Sequence, residues 1–133
     1  MTFKQLCEQL EQEIKDSYET GITVDDAEKL AGKFLTAQLA VSKELQKSDL
    51  DSRMRKSGLK AIQAAVYSQE CTKSDKKPTE AAIQHAINMN EVVAGEQQRL
   101  DEAESTRDDL DRYYSIFLNA HIFYRGVAKG KFD

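Results

Sequence analysis

The sequence contains no tryptophan, a single proline and only six glycines in 133 residues. A sheet with many turns normally needs more glycine and proline than this, so the composition argues against a β-rich fold. Charged residues make up 32% of the chain, a share typical of long solvated helices with narrow apolar stripes. We therefore expect an all-α protein, and the length fits one domain.

Metal binding and membrane insertion also lack a basis in the sequence. Cys7 and Cys71 are the only cysteines, and neither belongs to a CxxC pair or lies near a histidine cluster. No apolar run is long enough for a membrane span, and acidic residues from Glu8 onward do not fit a signal peptide. We expect a protein of the reducing cytoplasm that holds no metal or other cofactor.

Catalytic motifs are missing as well. No GxxxxGK[ST] loop, GxSxG elbow, HExxH or GxGxxG occurs, and His85 and His121 have no ligand-type spacing around them. Carboxylate pairs such as Asp108 with Asp109 fall in charge runs, which are typical of a solvated helix. We expect no catalytic residue and no enzyme, but a protein that acts by assembling and binding.

Apolar periodicity predicts a short helix followed by a long one. Thr2 can cap a first helix over residues 1–20, and Thr23 with Asp26 resembles a capping box that begins a helix over residues 23–71. The pairs Asp49–Arg53 and Asp51–Arg55 favour a continuous long helix with a phase slip over a break near Ser48. Its predicted apolar stripe comprises Ala27, Leu30, Phe34, Ala37, Val41, Leu45, Leu50, Met54, Ala61 and Ala65.

A lysine-rich loop over residues 72–78 and a second long helix over residues 79–126 follow. In that helix a seven-residue repeat predicts two seam positions. They hold Ala86, Val93, Leu100, Arg107, Tyr114 and His121, and Met89, Glu96, Ala103, Leu110, Phe117 and Tyr124. The predicted fold is a long antiparallel helical hairpin with a short N-terminal helix in a single domain, 1–133. Thin helices of this length bury little against each other, so we also expect a homo-oligomer.

Charges are sorted into blocks along the chain. Residues 1–51 hold 6 basic and 11 acidic side chains, residues 52–79 hold 7 and 2, residues 80–111 hold 2 and 9, and residues 112–133 hold 4 and 1. The basic block suggests a path for a phosphate backbone beside a tyrosine that can stack a base. Its alternative is a solvated face paired with the acidic block 80–111. The candidate nucleic-acid residues are Arg53, Arg55, Lys56, Lys60, Tyr67, Lys73, Lys76 and Lys77.

The last predicted helix ends in a run that is apolar on every side. Such a helix must be covered all round, either by its own fold or by a neighbouring subunit, for which aromatic residues are favoured anchors. The candidate oligomer-interface residues are Tyr113, Tyr114, Phe117, Leu118, His121, Ile122, Phe123 and Tyr124.

The first half of the chain resembles the UvsY-type recombination mediators of tailed phages. The matching stretches are LCEQL (6–10), KFL (33–35), VSKEL (41–45) and the basic element RMRKSGLKA (53–61), followed by Tyr67, and they cover roughly the first 68 residues. In the second half only the order of features agrees, namely an acidic helix and a closing helix with aromatic and basic residues.

The resemblance implies a ring-forming protein without catalytic activity that binds single-stranded DNA in the host cell cytoplasm. It would help to load a RecA-like recombinase onto strands covered by a single-strand-binding protein. Lys56 and Lys60 would fall in the family's DNA-contacting element, and residues 117–124 would match its assembly helix.

Two other functions fit the sequence features. A structural phage component, such as a helical head–tail connector or completion protein, would explain the aromatic terminus and the long polar helix. A small acidic inhibitor of a host protein would dock through the block 80–111 as a mimic of nucleic-acid charge.

Overall fold

The computed structural model of the chain describes residues 1–73 and 75–130, and every regular element in these residues is an α-helix. The all-α prediction is therefore confirmed, and the two long helices pack together. The helices are α1 (Phe3–Thr20), α2 (Val24–Thr72), α3 (Glu80–Met89) and α4 (Glu91–Ala128).

The chain divides into two compact units. Unit 1 consists of Met1–Leu45 together with the chain from Asp108 onward, and unit 2 consists of Gln46–Arg107. Unit 1 therefore contains α1, the first part of α2 and the second part of α4. Unit 2 contains the rest of α2, all of α3 and the first part of α4. The assignment of one domain to residues 1–133 stays a prediction.

Local side-chain chemistry sets both ends of α1. Thr2 Oγ1 accepts a hydrogen bond from the Gln5 backbone N–H at 3.1 Å, and Gln5 Oε1 accepts one from the Thr2 N–H at 2.9 Å. This reciprocal capping box satisfies two donors that a helix start leaves free. At the other end, Gly21 has φ 83° and ψ 164°, a backbone region that is essentially restricted to glycine. The turn after α1 therefore depends on the absence of a side chain at position 21.

α2 runs without a break through Ser48, which confirms the predicted continuous helix. Thr23 Oγ1 accepts a hydrogen bond from the Asp26 N–H at 3.2 Å, and acidic residues in the first turn suit the positive end of the helix dipole. The predicted pairs Arg53–Asp49 and Arg55–Asp51 are present at 2.8 and 3.2 Å.

In unit 1 the segments of α2 and α4 run antiparallel. Gln38 Nε2 donates to Tyr114 Oη at 3.3 Å, and His121 Nδ1 lies 2.9 Å from the Ala31 carbonyl oxygen. A step of seven residues toward the start of α2, from Gln38 to Ala31, thus corresponds to a step of seven residues toward the end of α4, from Tyr114 to His121. α1 packs against both segments, and the buried core of the unit comprises Cys7, Leu10, Ile14, Phe34, Val41, Tyr113, Phe117, Ala120 and Tyr124.

Unit 2 has a smaller, aliphatic core to which three helices contribute. Leu59 and Val66 come from α2, Ile83 and Ile87 from α3, and Val93 and Leu100 from α4. Every one of these side chains is buried. The pairing of α3 against α2 is what creates the groove described below.

The second part of the predicted α2 stripe is wrong. Leu50 and Met54 are 59% and 65% exposed, and Ala61 and Ala65 are exposed as well. The buried residues are instead Ser52, Leu59 and Val66. Because about eleven residues complete three turns of a regular helix, a continuous α2 brings position 52 back to the side of Val41 without a phase slip. Ser52 tolerates burial since its hydroxyl donates to the Asp49 carbonyl oxygen at 3.0 Å.

The predicted single helix over residues 79–126 is also wrong, because Asn90 separates α3 from α4. Asn90 has an extended backbone, and its Oδ1 accepts hydrogen bonds from the N–H groups of Val92 and Val93 at 3.0 and 3.1 Å. The break changes the phase of the apolar seam, so that Met89 is 69% exposed while Ile83 and Ile87 are buried. Further along, the seam is confirmed by the buried residues Val93, Leu100, Ala103, Phe117 and Tyr124.

Candidate nucleic-acid interface

Four of the predicted nucleic-acid residues share one face of α2 within unit 2. Arg53, Lys56, Lys60 and Tyr67 follow one another at spacings of three, four and seven residues, which place them on one side of a helix. At a rise of 1.5 Å per residue this face, here called the basic face, extends over roughly 21 Å. The three cationic side chains are exposed, and Tyr67 is half-buried.

Two lysines supply the uncompensated charge of the basic face. Arg53 Nη2 lies 2.8 Å from Asp49 Oδ2 of the same helix, so its charge is partly neutralised. Within residues 1–73 and 75–130, neither Lys56 nor Lys60 forms an ion pair. These two ammonium groups, one helical turn apart, are therefore available to an anionic ligand.

Arg55 lies apart from the basic face. Its Nε is 3.2 Å from Asp51 Oδ2, and it lines a shallow groove in unit 2 together with Arg99, Glu102 and Thr106 of α4. Its position two residues from Arg53 turns it toward α4. Arg55 therefore does not share the basic face with Arg53, Lys56 and Lys60, and its part in nucleic-acid binding stays a prediction.

The lysines of the loop after α2 lie close to acidic residues. Lys73 Nζ is 2.7 Å from Glu70 Oε1, and Lys77 Nζ is 3.9 Å from Glu80 Oε1, while Lys76 is exposed. Among the ion pairs of Arg53, Arg55, Lys73 and Lys77, only that of Lys77 reaches the acidic block 80–111. Pairing with that block, the alternative to nucleic-acid binding, thus accounts for little of the basic charge on α2.

Tyr67 is held in place by the first residue of α3. Its hydroxyl donates to Glu80 Oε1 at 2.8 Å, and this hydrogen bond, together with the negative charge of Glu80, raises the pKa of Tyr67. The hydrogen bond therefore ties the Tyr67 ring to the start of α3.

A groove in unit 2 lies between α2 and α3, directly beside Tyr67. It is a shallow, open groove with a volume of about 380 Å³, and its lining residues are Gln63, Ala64, Tyr67, Gln84, Ile87 and Asn88. Among the described residues, the amide side chains of Gln63, Gln84 and Asn88 have no hydrogen-bond partner. Apart from Tyr67, the lining residues could not be recognised from the sequence, because isolated glutamines and asparagines in helical segments are ordinary surface residues.

The aromatic end of α4 is largely core. Tyr113, Phe117 and Tyr124 are 4%, 0% and 0% exposed, and Tyr124 Oη is 2.6 Å from Ser17 Oγ of α1. Phe34 lies with its ring centroid 5.6 Å from those of both Phe117 and Tyr124. These three candidate interface residues are covered by their own fold, the alternative that the sequence left open.

The other candidate interface residues also contact their own unit. Tyr114 and His121 bind α2 through the hydrogen bonds described above, and Phe123 packs edge-on against Tyr18 with ring centroids 5.2 Å apart. Leu118 is half-buried, and Ile122 is 55% exposed. Ile122 is therefore the one member of the candidate set whose side chain is mainly exposed.

Residues 1–73 and 75–130 also lack the features of a metal site and of a membrane span. This part of the chain contains no group of three or more His, Cys, Asp or Glu side chains arranged to hold a metal ion. Within the same residues, no helix combines the length and apolar character that crossing a membrane requires. Cys7 and Cys71 are free thiols, the first buried and the second half-buried.

Comparison with known proteins gives no identification. No family model matches the chain, and no curated protein or solved structure is significantly similar to it. The resemblance to the UvsY-type mediators therefore rests on the matching sequence stretches in α1 and α2 alone.

Proposed function

We propose that this chain binds single-stranded DNA through the basic face of α2 and acts, without catalysis, as a recombination mediator. The observation that carries the proposal is the exposed pair Lys56 and Lys60, which has no carboxylate partner among the described residues. Tyr67 lies two turns beyond Lys60 on the same face. Cations that follow a strand backbone, together with an aromatic ring for a base, are the usual components of sequence-independent strand binding.

Homo-oligomerisation is part of the proposal, because the basic face of a single copy has only two lysines, Lys56 and Lys60, without an ion-pair partner among the described residues. Several copies bound to one strand gain effective concentration, so that weak contacts add up to useful affinity. The exposed apolar side chains Leu50 and Met54 on α2 support self-association, since large exposed apolar groups that cluster usually mark contact surfaces. They replace the buried aromatic residues of α4 as the candidate contact.

The protein partners are proposed from the resemblance in α1 and α2. A mediator of this kind would contact a RecA-like recombinase and a single-strand-binding protein on the same strand. Its function would be to bring them together on the DNA, which needs binding surfaces and no reactive group.

Strand binding is tested with a fluorescent single-stranded oligonucleotide and fluorescence anisotropy over a range of salt concentrations. We expect the double variant Lys56→Ala/Lys60→Ala to bind more weakly than the natural sequence. Losing two phosphate contacts per subunit should also reduce the salt slope of log K by about 1.4. The matched control is Lys4→Ala/Lys29→Ala, which removes the same charge from two exposed positions of unit 1.

The outcomes of this titration separate the alternatives. Equal affinity and equal salt slope for both double variants would show that the basic face does not contact the strand. Sedimentation velocity on the same samples reports the assembly state. A defined oligomer with no affinity for the oligonucleotide would point to a structural component instead.

A further inference from the structure

We infer that the groove between α2 and α3 is a base-binding site, which accepts one unstacked base of a strand whose phosphates contact Lys56 and Lys60. This inference rests on the proposed strand binding and adds a defined pocket to it. The pocket residues, apart from Tyr67, were not among those that the sequence singled out.

The groove adjoins the basic face along α2. Gln63 and Ala64, which line the groove, follow Lys60 by three and four residues. The backbone of Lys60 is thus about one helical turn, or roughly 5.4 Å along the axis, from the backbone of these lining residues. A phosphate bound at Lys60 and a base bound in the groove can therefore belong to neighbouring nucleotides of one strand.

The lining of the groove suits a nucleobase. Ile87, which is 5% exposed, and Ala64 give an apolar surface, and the Tyr67 ring gives an aromatic one. The unpaired amides of Gln63, Gln84 and Asn88 each offer both donors and an acceptor at the rim. Amide side chains pair in two-point contacts with base edges, preferentially with adenine. A mostly apolar site with a few converging polar groups is the usual design of a pocket for a small planar ligand.

The ion pairs around the groove favour one direction for a strand. The Glu80 carboxylate holds the Tyr67 hydroxyl at the start of α3 and lies 3.9 Å from Lys77 Nζ, so these two charges offset each other. Lys60 has no ion-pair partner among the described residues, so a phosphate is attracted most strongly on the side of Lys60. The base therefore enters the groove from the direction of Lys60, with its backbone on the basic face.

The test compares an adenine-containing oligonucleotide with an abasic oligonucleotide of the same length. The double variant Gln84→Ala/Asn88→Ala removes two exposed amides of α3, so its fold should persist, and circular dichroism checks this. We expect it to bind the adenine strand about fivefold or more weakly, and to bind the abasic strand with unchanged affinity and salt slope. Gln69→Ala is the matched control, because Gln69 is an exposed amide of α2 outside the groove.

A second pair of variants tests the ring itself. Tyr67→Phe keeps the aromatic face and loses the hydrogen bond to Glu80, whereas Tyr67→Ala loses both. We expect only Tyr67→Ala to weaken binding of the adenine strand by about fivefold or more.

The proposed strand binding and the proposed base site can be overturned separately. If the natural sequence binds both oligonucleotides equally and the groove variants change neither affinity, strand binding stands and the base site is overturned. If the natural sequence binds neither oligonucleotide at low salt, the proposed function is overturned and the base site with it.

Discussion

Cys7 and Cys71 show how strongly position controls the chemistry of one residue type. Cys7 is 2% exposed in the core of unit 1, and this burial, with a contribution from the charge of Glu8, raises the pKa of its thiol to about 11. Cys71 is half-buried near the end of α2 in unit 2. Because the thiolate is the reactive form, the two residues should differ greatly in reactivity.

This difference predicts the outcome of thiol labelling in the folded protein. Cys71, kept alone in the variant Cys7→Ala, should react at the rate of an accessible thiol. Cys7, kept alone in Cys71→Ser, should react at least about tenfold more slowly, because burial raises the pKa of its thiol to about 11 and covers its sulfur. The measurement is the rate of reaction with a chromogenic disulfide at neutral pH. Similar rates in the two variants would contradict the burial of Cys7, and urea-unfolded samples serve as the control.

The residues of the basic face were predictable, whereas those of the groove were not. Helical spacing alone places Arg53, Lys56 and Lys60 on one side of α2, and the same spacing turns Arg55 away from them. Gln84 and Asn88 belong to the groove only because α3 packs against α2, and one-dimensional periodicity carries no information about that contact.

At the scale of elements, one polar side chain decides where α3 ends and α4 begins. Asn90 Oδ1 accepts two backbone hydrogen bonds from the first turn of α4. Asparagine is among the best residues at this position because its short side chain reaches the free N–H groups of a helix start. The side chain thereby competes with the continuation of α3 through position 90.

We therefore expect Asn90→Ala to lower the free energy of unfolding by about 1 kcal/mol. Urea unfolding followed by circular dichroism measures the change. Asn119→Ala is the matched control, because Asn119 is an exposed residue in the middle of α4 and alanine favours a helix there. A loss of stability in the control equal to that in Asn90→Ala would show that the cap contributes nothing.

The helices differed in how well their sequences defined them. α1 and the start of α2 were predictable because capping residues, a glycine and apolar spacing agree at their ends. The break at Asn90 was missed because no proline or glycine marks it and a seven-residue repeat can be written across it. In α2, a prediction from hydrophobicity alone placed Leu50 and Met54 in the core and Ser52 at the surface. In the structure Leu50 and Met54 are exposed and Ser52 is buried.

At the scale of the whole molecule, each unit has a core of its own. Phe117 lies at the centre of the aromatic core of unit 1, with ring centroids 5.6 Å from Phe34 and 5.8 Å from Tyr113. The core of unit 2 is aliphatic and includes none of these residues. A substitution in one core therefore acts first on the unit that contains it.

The variant Phe117→Ala should lose about 3–5 kcal/mol of stability through the cavity that it creates. Hydrogen–deuterium exchange should then accelerate more in residues 1–45 and 108–130 than in residues 46–107, since the lost contacts belong to unit 1. Ile122→Ala, at a position that is 55% exposed in the same helix, is the control and should change exchange little. A uniform acceleration along the chain would show that both units unfold as one, in agreement with the predicted single domain.

The all-α character and the packing of two long helices were accessible from composition and periodicity. The division into two units was not, because the interruptions of the apolar pattern at these places, the step from Leu45 to Leu50 and Arg107 in the seam, were interpreted as irregularities within continuous helices. From the sequence, the aromatic run of α4 could be covered either by its own fold or by a neighbouring subunit. In the structure α1 packs against it. Residues such as Leu10 and Ile14 cover it within the same chain.

Unit 1 is built from two chain segments that are far apart in the sequence, and this affects the order in which the protein folds on the ribosome. Phe34 and the apolar side of α1 are translated before residues 46–107, and their aromatic partners Tyr113, Phe117 and Tyr124 are translated after them. Unit 2 therefore has its complete set of helical segments before unit 1 does. Until residue 124 has been made, the apolar side of α1 lacks part of its core, and chaperones would meet the nascent chain at that stage.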